Sequence, residues 1–139
     1  MNSRIYKRGD ALVLDDYFAY LAENRSMIPD TFSGFVCDMR RYLAGPESLL
    51  NSKYVSMKRN EHTERLILKF RSPDDRLFSF SFKGVYMVKL SNPSGSLRCR
   101  ELLIHEFMIL RNGFFRYEFT SVTGDKIIID FIDLKVTVK

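Results

Sequence analysis

The 139-residue chain has no tryptophan and only two cysteines, two histidines, four prolines and seven glycines. Each scarcity closes a class of function. Cys37 and Cys99 stand alone, without CxxC or Cys/His spacing, so they read as two reduced thiols and not as a disulfide framework or metal knot. The dispersed glycines build neither GxGxxG nor GxxxxGK[ST], which leaves no backbone cradle for a phosphate. Neither histidine belongs to an HExxH or HxxxH pair, and no GxSxG elbow accompanies them. No acidic loop of the EF-hand kind occurs either. No apolar run approaches the roughly 20 residues of a membrane span, and MNSRIYKRGD carries no hydrophobic signal segment. These absences predict a cytoplasmic protein without cofactor, metal or membrane partner.

What is present describes a folded domain. Hydrophobic residues make up 45% of the chain and charged residues 28%, far from the composition of disorder. Twelve phenylalanines and seven tyrosines fit a β-rich core. The net charge of +5 falls in small clusters: Arg4, Lys7 and Arg8; Arg40 and Arg41; Lys53, Lys58 and Arg59; Arg98 and Arg100. Along the sequence this excess looks scattered. It favours acidic partners in general, whether nucleic acid, anionic membrane or acidic protein, and mostly describes a solvated surface.

Taken in order, residues 1–9 form a basic lead-in. Asp10 is placed to cap a helix running to Glu23, because Leu14, Tyr17, Phe18 and Leu21 recur at helical spacing. A second helix follows Pro29, capped by Asp30 or Thr31 and facing inward with Phe32, Phe35, Val36, Met39 and Leu43. Gly45-Pro46 stops it. Strands then occupy Tyr54–Met57, Arg65–Arg71, Leu77–Lys83 and Val85–Leu90, separated by an exposed turn around His62, the Pro73-Asp74-Asp75 turn and a break at Gly84. Residues 92–96 are the clearest loop.

From Leu103 to Lys139 the sequence is strand-forming throughout. Asn112-Gly113 predicts a two-residue type I′ hairpin, pairing Ile109 with Arg116, Phe107 with Glu118 and His105 with Thr120. Ile104, Met108, Leu110, Phe115, Tyr117 and Phe119 then form a core face, with Glu106 as its one charge. An odd-numbered loop at Gly124 brings Ile127, Ile129 and Phe131 to the same face and sets Glu118 opposite Asp130. The change of apolar parity to Leu134, Val136 and Val138 requires a bulge or bend near Ile132-Asp133. The whole reads as one α+β domain over 1–139. Two helices in 10–45 pack on a mainly antiparallel twisted sheet or partial sandwich of about seven strands in 52–139.

The residues that could carry chemistry are those on the polar face of this last unit: His105, Arg116, Glu118 and Asp130, with Phe107 and Ile109 among them. Facing carboxylates can raise one pKa for acid–base work, but a mixed charged, aromatic and aliphatic face suits a protein interface better. Cys99 between Arg98 and Arg100 has the cationic neighbours that lower a thiol pKa, although an isolated cysteine is usually inert. Alternating aromatic and basic residues in Phe114-Phe115-Arg116-Tyr117 are the form taken by base-stacking strands, yet no RNP-type signature accompanies them.

Leu49-Leu50-Asn51-Ser52-Lys53-Tyr54-Val55, the strand Arg65–Phe70, the phenylalanine strand after it and the closing GDKIIIDFIDLKV together resemble small β-rich bacterial immunity proteins of polymorphic-toxin and contact-inhibition systems. The resemblance covers residues 49–139. Where many of those proteins carry a His and an Asp before the first strand, this chain has Leu50 and Asn51, so no role attached to those residues transfers. The resemblance implies a non-enzymatic protein that neutralises a toxin by binding it. Two alternatives stand beside it: a basic nucleic-acid-associated factor, and a small enzyme or ligand carrier with a cavity between helices and sheet.

Overall fold

A computed structural model describes residues 4–9, 11–43, 45, 47–91 and 101–139, with Leu103 described by its backbone alone. Asp10, Pro46, the 92–96 loop and Cys99 with its flanking arginines lie outside these residues. The class is α+β, but the strand count is larger than the sequence suggested. Among the described residues ten strands form three antiparallel sheets, where a single sheet or partial sandwich of about seven strands was expected.

The chain opens with a hairpin, β1 (Tyr6–Arg8) and β2 (Ala11–Val13), where a helix start was expected. Helix α1 runs only from Asp15 to Glu23. It buries Tyr17 and Leu21, two of the four residues whose spacing predicted it, and Leu14 before it is buried as well. Helix α2 (Asp30–Val36) buries Phe32, Phe35 and Val36 and then ends. The expected continuation fails at Asp38, whose extended backbone and side-chain acceptance of the Arg40 N–H start a separate 3₁₀ turn, Met39–Arg41. Met39 and Leu43, assigned to the inner stripe, are consequently exposed.

The strands β3 (Lys53–Asn60), β4 (Arg65–Arg71), β5 (Leu77–Lys83), β6 (Met87–Leu90), β7 (Leu102–Ile109), β8 (Phe115–Ser121), β9 (Lys126–Phe131) and β10 (Asp133–Val138) make two four-stranded sheets. The front sheet has the order β10-β5-β4-β3 and the back sheet β6-β9-β8-β7. Two strand pairs pass from one sheet to the other. β5 continues into β6 beyond Gly84, and β9 continues into β10 beyond Ile132, which is the bend that the parity change required. Gly84 has φ +64°, and a Cβ there would lie 2.8 Å from the Cβ of Ile132, so the two bent strands can touch only through a glycine. At the opposite corner Lys53 bridges to Glu101 and joins β3 to the start of β7.

Alternation fills the space between the sheets. Leu66, Leu68, Phe70, Phe78, Phe80 and Phe82 point in from the front sheet, and Phe107, Tyr117, Phe119, Ile127, Ile129 and Phe131 from the back. Helix α2 wedges between them. Phe32 meets Phe107, Phe115 and Phe131 edge-on at 5.4–5.8 Å, while Phe35 meets Phe78 and Phe80 at 6.3 and 5.3 Å.

Candidate functional site

The six residues drawn together by the sequence do not share one face. A type I′ turn does form at Asn112-Gly113, with φ +60° and +77° and the Phe114 N–H reaching the Arg111 carbonyl. However, Leu110 donates to the Phe114 carbonyl, so Leu110 and Arg111 together oppose Phe114. This bulge slips β7 by one residue relative to the two-residue register. Phe107 pairs with Tyr117 and His105 with Phe119, and both turn into the core. Ile109 pairs with Phe115 on the same inner side. The opposite side of β7 holds Ile104, Glu106 and Met108; Glu106 and Met108 are buried there, as the sequence assigned them, although not between the two sheets. The β8–β9 register differs as well. Asp130 faces Arg116, while Glu118 faces Ile128, so the expected Glu118–Asp130 confrontation is absent. The like-charge pair is instead Glu106 with Glu118. Glu118 bonds Lys126 at 3.2 Å, and Glu106 accepts the backbone N–H of Arg4 at 3.1 Å. Arg116 grips Asp130 with two bonds of 2.7 and 2.9 Å, which hold the guanidinium firmly in its charged form.

His105 sits in a buried hydrogen-bond cluster. Its ring stacks on Tyr42 at 4.1 Å and 10°, and Nε2 lies 2.8 Å from the Arg41 carbonyl, which can only accept. Nε2 therefore carries the proton, and the Tyr117 hydroxyl donates to Nδ1 at 2.7 Å. Nearby, the Phe107 N–H donates to Tyr17, Tyr17 to Tyr42, and Tyr42 to the Val36 carbonyl. Tyr20 accepts the N–H of Ile109 in the same way, so α1 seals the open edge of β7 with two hydroxyls.

Burial pushes the His105 pKa down to about 4, against an ordinary value near 6.5. Above pH 6.5 both folded and unfolded chains hold it neutral. Between 6.5 and 4 only the unfolded chain takes up the proton, and stability falls by about 3 kcal/mol over that interval. Urea unfolding of the wild type and of His105→Gln at pH 7 and pH 4.5 should show the wild type losing distinctly more on acidification. Parallel losses would mean that carboxylates alone carry the effect.

The site that sequence reading missed is the outer face of the front sheet. The registers align it in four rungs: Asn60–Arg65–Lys83–Asp133, Lys58–Ile67–Ser81–Lys135, Ser56–Lys69–Ser79–Thr137 and Lys53–Arg71–Leu77. Seven of the chain's 22 lysines and arginines stand here with one of its 17 acidic residues. The remaining 15 and 16 nearly cancel, so this face accounts for the chain's entire positive excess. Asp133, its one acid, is occupied by the Thr31 hydroxyl at 2.6 Å. Arg71 pairs with Asp75 in the adjoining turn. Among the described residues Lys53, Lys58, Arg65, Lys69, Lys83 and Lys135 form no ion pair with an acid. Ile67, 41% exposed, lies in the middle of the face. The signal available in sequence was the odd-numbered basic residues of Arg65–Arg71 alternating with Leu66, Leu68 and Phe70.

Among the described residues no helix is long and apolar enough to cross a membrane, and no group of three or more His, Cys, Asp or Glu could hold a metal ion. Cys37 is free and half-buried, and burial raises its thiol pKa. No protein-family model, curated protein or solved structure matches the chain.

Proposed function

We propose that this protein is a non-enzymatic binding module whose partner is an acidic protein held on the outer face of the front sheet. The observation that carries this reading is the gathering of the whole cationic excess onto one face with an exposed isoleucine at its centre. Unneutralised cations steer an acidic partner in and reject basic ones, while Ile67 and the aliphatic lysine stems provide apolar contact. Neutralisation of a toxin by direct binding, implied by the resemblance of residues 49–139 to immunity proteins, is the most concrete form of this function.

Charge alone would also draw nucleic acid. The face offers no aromatic ring for base stacking, because Phe115 and Tyr117 lie in the core. Phe114 packs against Tyr86 at 4.6 Å and is not on this face. An acidic protein therefore fits better than a single strand.

The purified protein should form a complex with an acidic co-encoded neighbour. The double charge reversal Arg65→Glu, Lys69→Glu should weaken that complex at least tenfold, about 1.4 kcal/mol, while leaving thermal stability nearly unchanged. Absence of any such complex, together with salt-dependent binding of duplex DNA or RNA that the double variant abolishes, would replace this reading with a nucleic-acid role.

A further inference from the structure

We infer that the acidic partner contributes an extended segment that adds to the front sheet along the free edge of β3. This rests on the reading above and specifies how the partner docks.

The first reason is size. Strand and rung spacings make the basic face only about 15 by 20 Å, whereas each side of a stable protein interface buries about 800 Å². A partner seated there must extend past an edge. Two of the edges are closed: α2 packs along β10, and Tyr17 and Tyr20 cap β7. β3 is open. A cleft of about 370 Å³ along it is lined by its own residues Tyr54 to Lys58. A second cleft, of about 490 Å³, shares Val55 and continues past Lys53 and Arg71 to Glu101.

The second reason is charge. An unpaired strand edge invites pairing with another copy of the same strand. Here that pairing would crowd Lys53, Lys58 and Arg59 against the same residues of the copy, which like charges oppose. Lys53 and Lys58, on the outer face, welcome an acidic strand. The bulge at Val55 interrupts the ladder, but Ser56 to Asn60 is regular and long enough to carry an added strand. Lys58 points to the outer face in the rung of Ile67, and Met57 points inward opposite Leu68. A complementary segment therefore alternates acidic residues beside Lys58 with apolar residues beside Met57. Backbone bonds supply affinity and the alternation supplies specificity.

The probe is a fluorescein-labelled eight-residue peptide alternating Glu and Val, compared with the same peptide N-methylated at alternate amides. Strand addition predicts that the first peptide binds and that N-methylation on one edge weakens it at least tenfold. It also predicts that Lys58→Glu weakens binding at least fivefold and that hydrogen exchange slows at alternate β3 amides when the peptide is added. Equal, salt-sensitive binding of both peptides would overturn strand addition and leave the acidic-partner reading standing. Binding of neither peptide at 1 mM would also overturn it, and titration with poly-L-glutamate would then judge the acidic-partner reading separately. Dimerisation of the free protein through β3, seen by sedimentation and abolished by Lys58→Pro, would likewise overturn it.

Discussion

Truncating Phe80 to alanine should lower the free energy of unfolding by about 3–5 kcal/mol, a large part of the 5–15 kcal/mol that holds an ordinary domain together. Phe80 is fully buried on β5 and makes ring contacts with Phe35, Phe70, Phe82, Tyr117 and Phe119. Those partners come from α2, from β4 and β5 of the front sheet, and from the back sheet. One substitution thus removes contacts from three layers, and neighbouring rings held on different strands cannot close the gap together. Phe80→Leu should cost less than half as much. Chemical denaturation of the two variants measures the difference. A loss below 1 kcal/mol for alanine would show that the sheets are free to collapse onto each other.

Arg116→Ala should be the next most damaging change, at about 3–5 kcal/mol, and clearly worse than Asp130→Ala. The pair is asymmetric. The Asp130 side chain is 2% exposed and the Arg116 side chain 26%. Without Arg116, a carboxylate remains buried and must either stay charged without its partner or take up a proton. Without Asp130, the guanidinium can still reach water. Replacing both at once, Arg116→Met with Asp130→Leu, should recover most of the loss, since neither charge is then stranded. Equal losses for the two single variants would mean that the bidentate bond itself, and not the stranded charge, sets the cost.

Several features were legible from local pattern. β4 and β5 begin and end where their strict alternation does, because Leu66, Leu68 and Phe70, like Phe78, Phe80 and Phe82, have only one way to face a core. The bend after Phe131 was legible from a change in parity, and α1 from four apolar residues at helical spacing. The end of α2 was not, because Met39 and Leu43 continue its period while Asp38 captures the Arg40 N–H and turns the chain. The hairpin β1–β2 was hidden for a similar reason: three-residue strands are too short to show a period.

The candidate site was less legible than the fold. His105 looked like a surface residue because the two-residue hairpin register set it on one face with Arg116, Glu118 and Asp130. It is buried because Arg41 and Tyr117, 64 and 12 positions away, satisfy both ring nitrogens. A single extra residue opposite Phe114 turned β7 over, and with it the whole face that had carried the candidate residues.

By itself the sequence determined the class of this protein, the inward residues of β4, β5, β8 and β9, the bend at Ile132 and the size of its positive charge. Only the tertiary structure decided where that charge lies. Lysines and arginines that are scattered along the chain meet on one face because β3, β4, β5 and β10 pair in particular registers, and those registers answer to packing between distant strands and not to any local preference. Among the described residues the same pairing leaves β3 beyond Tyr54 as an uncovered edge beside that face.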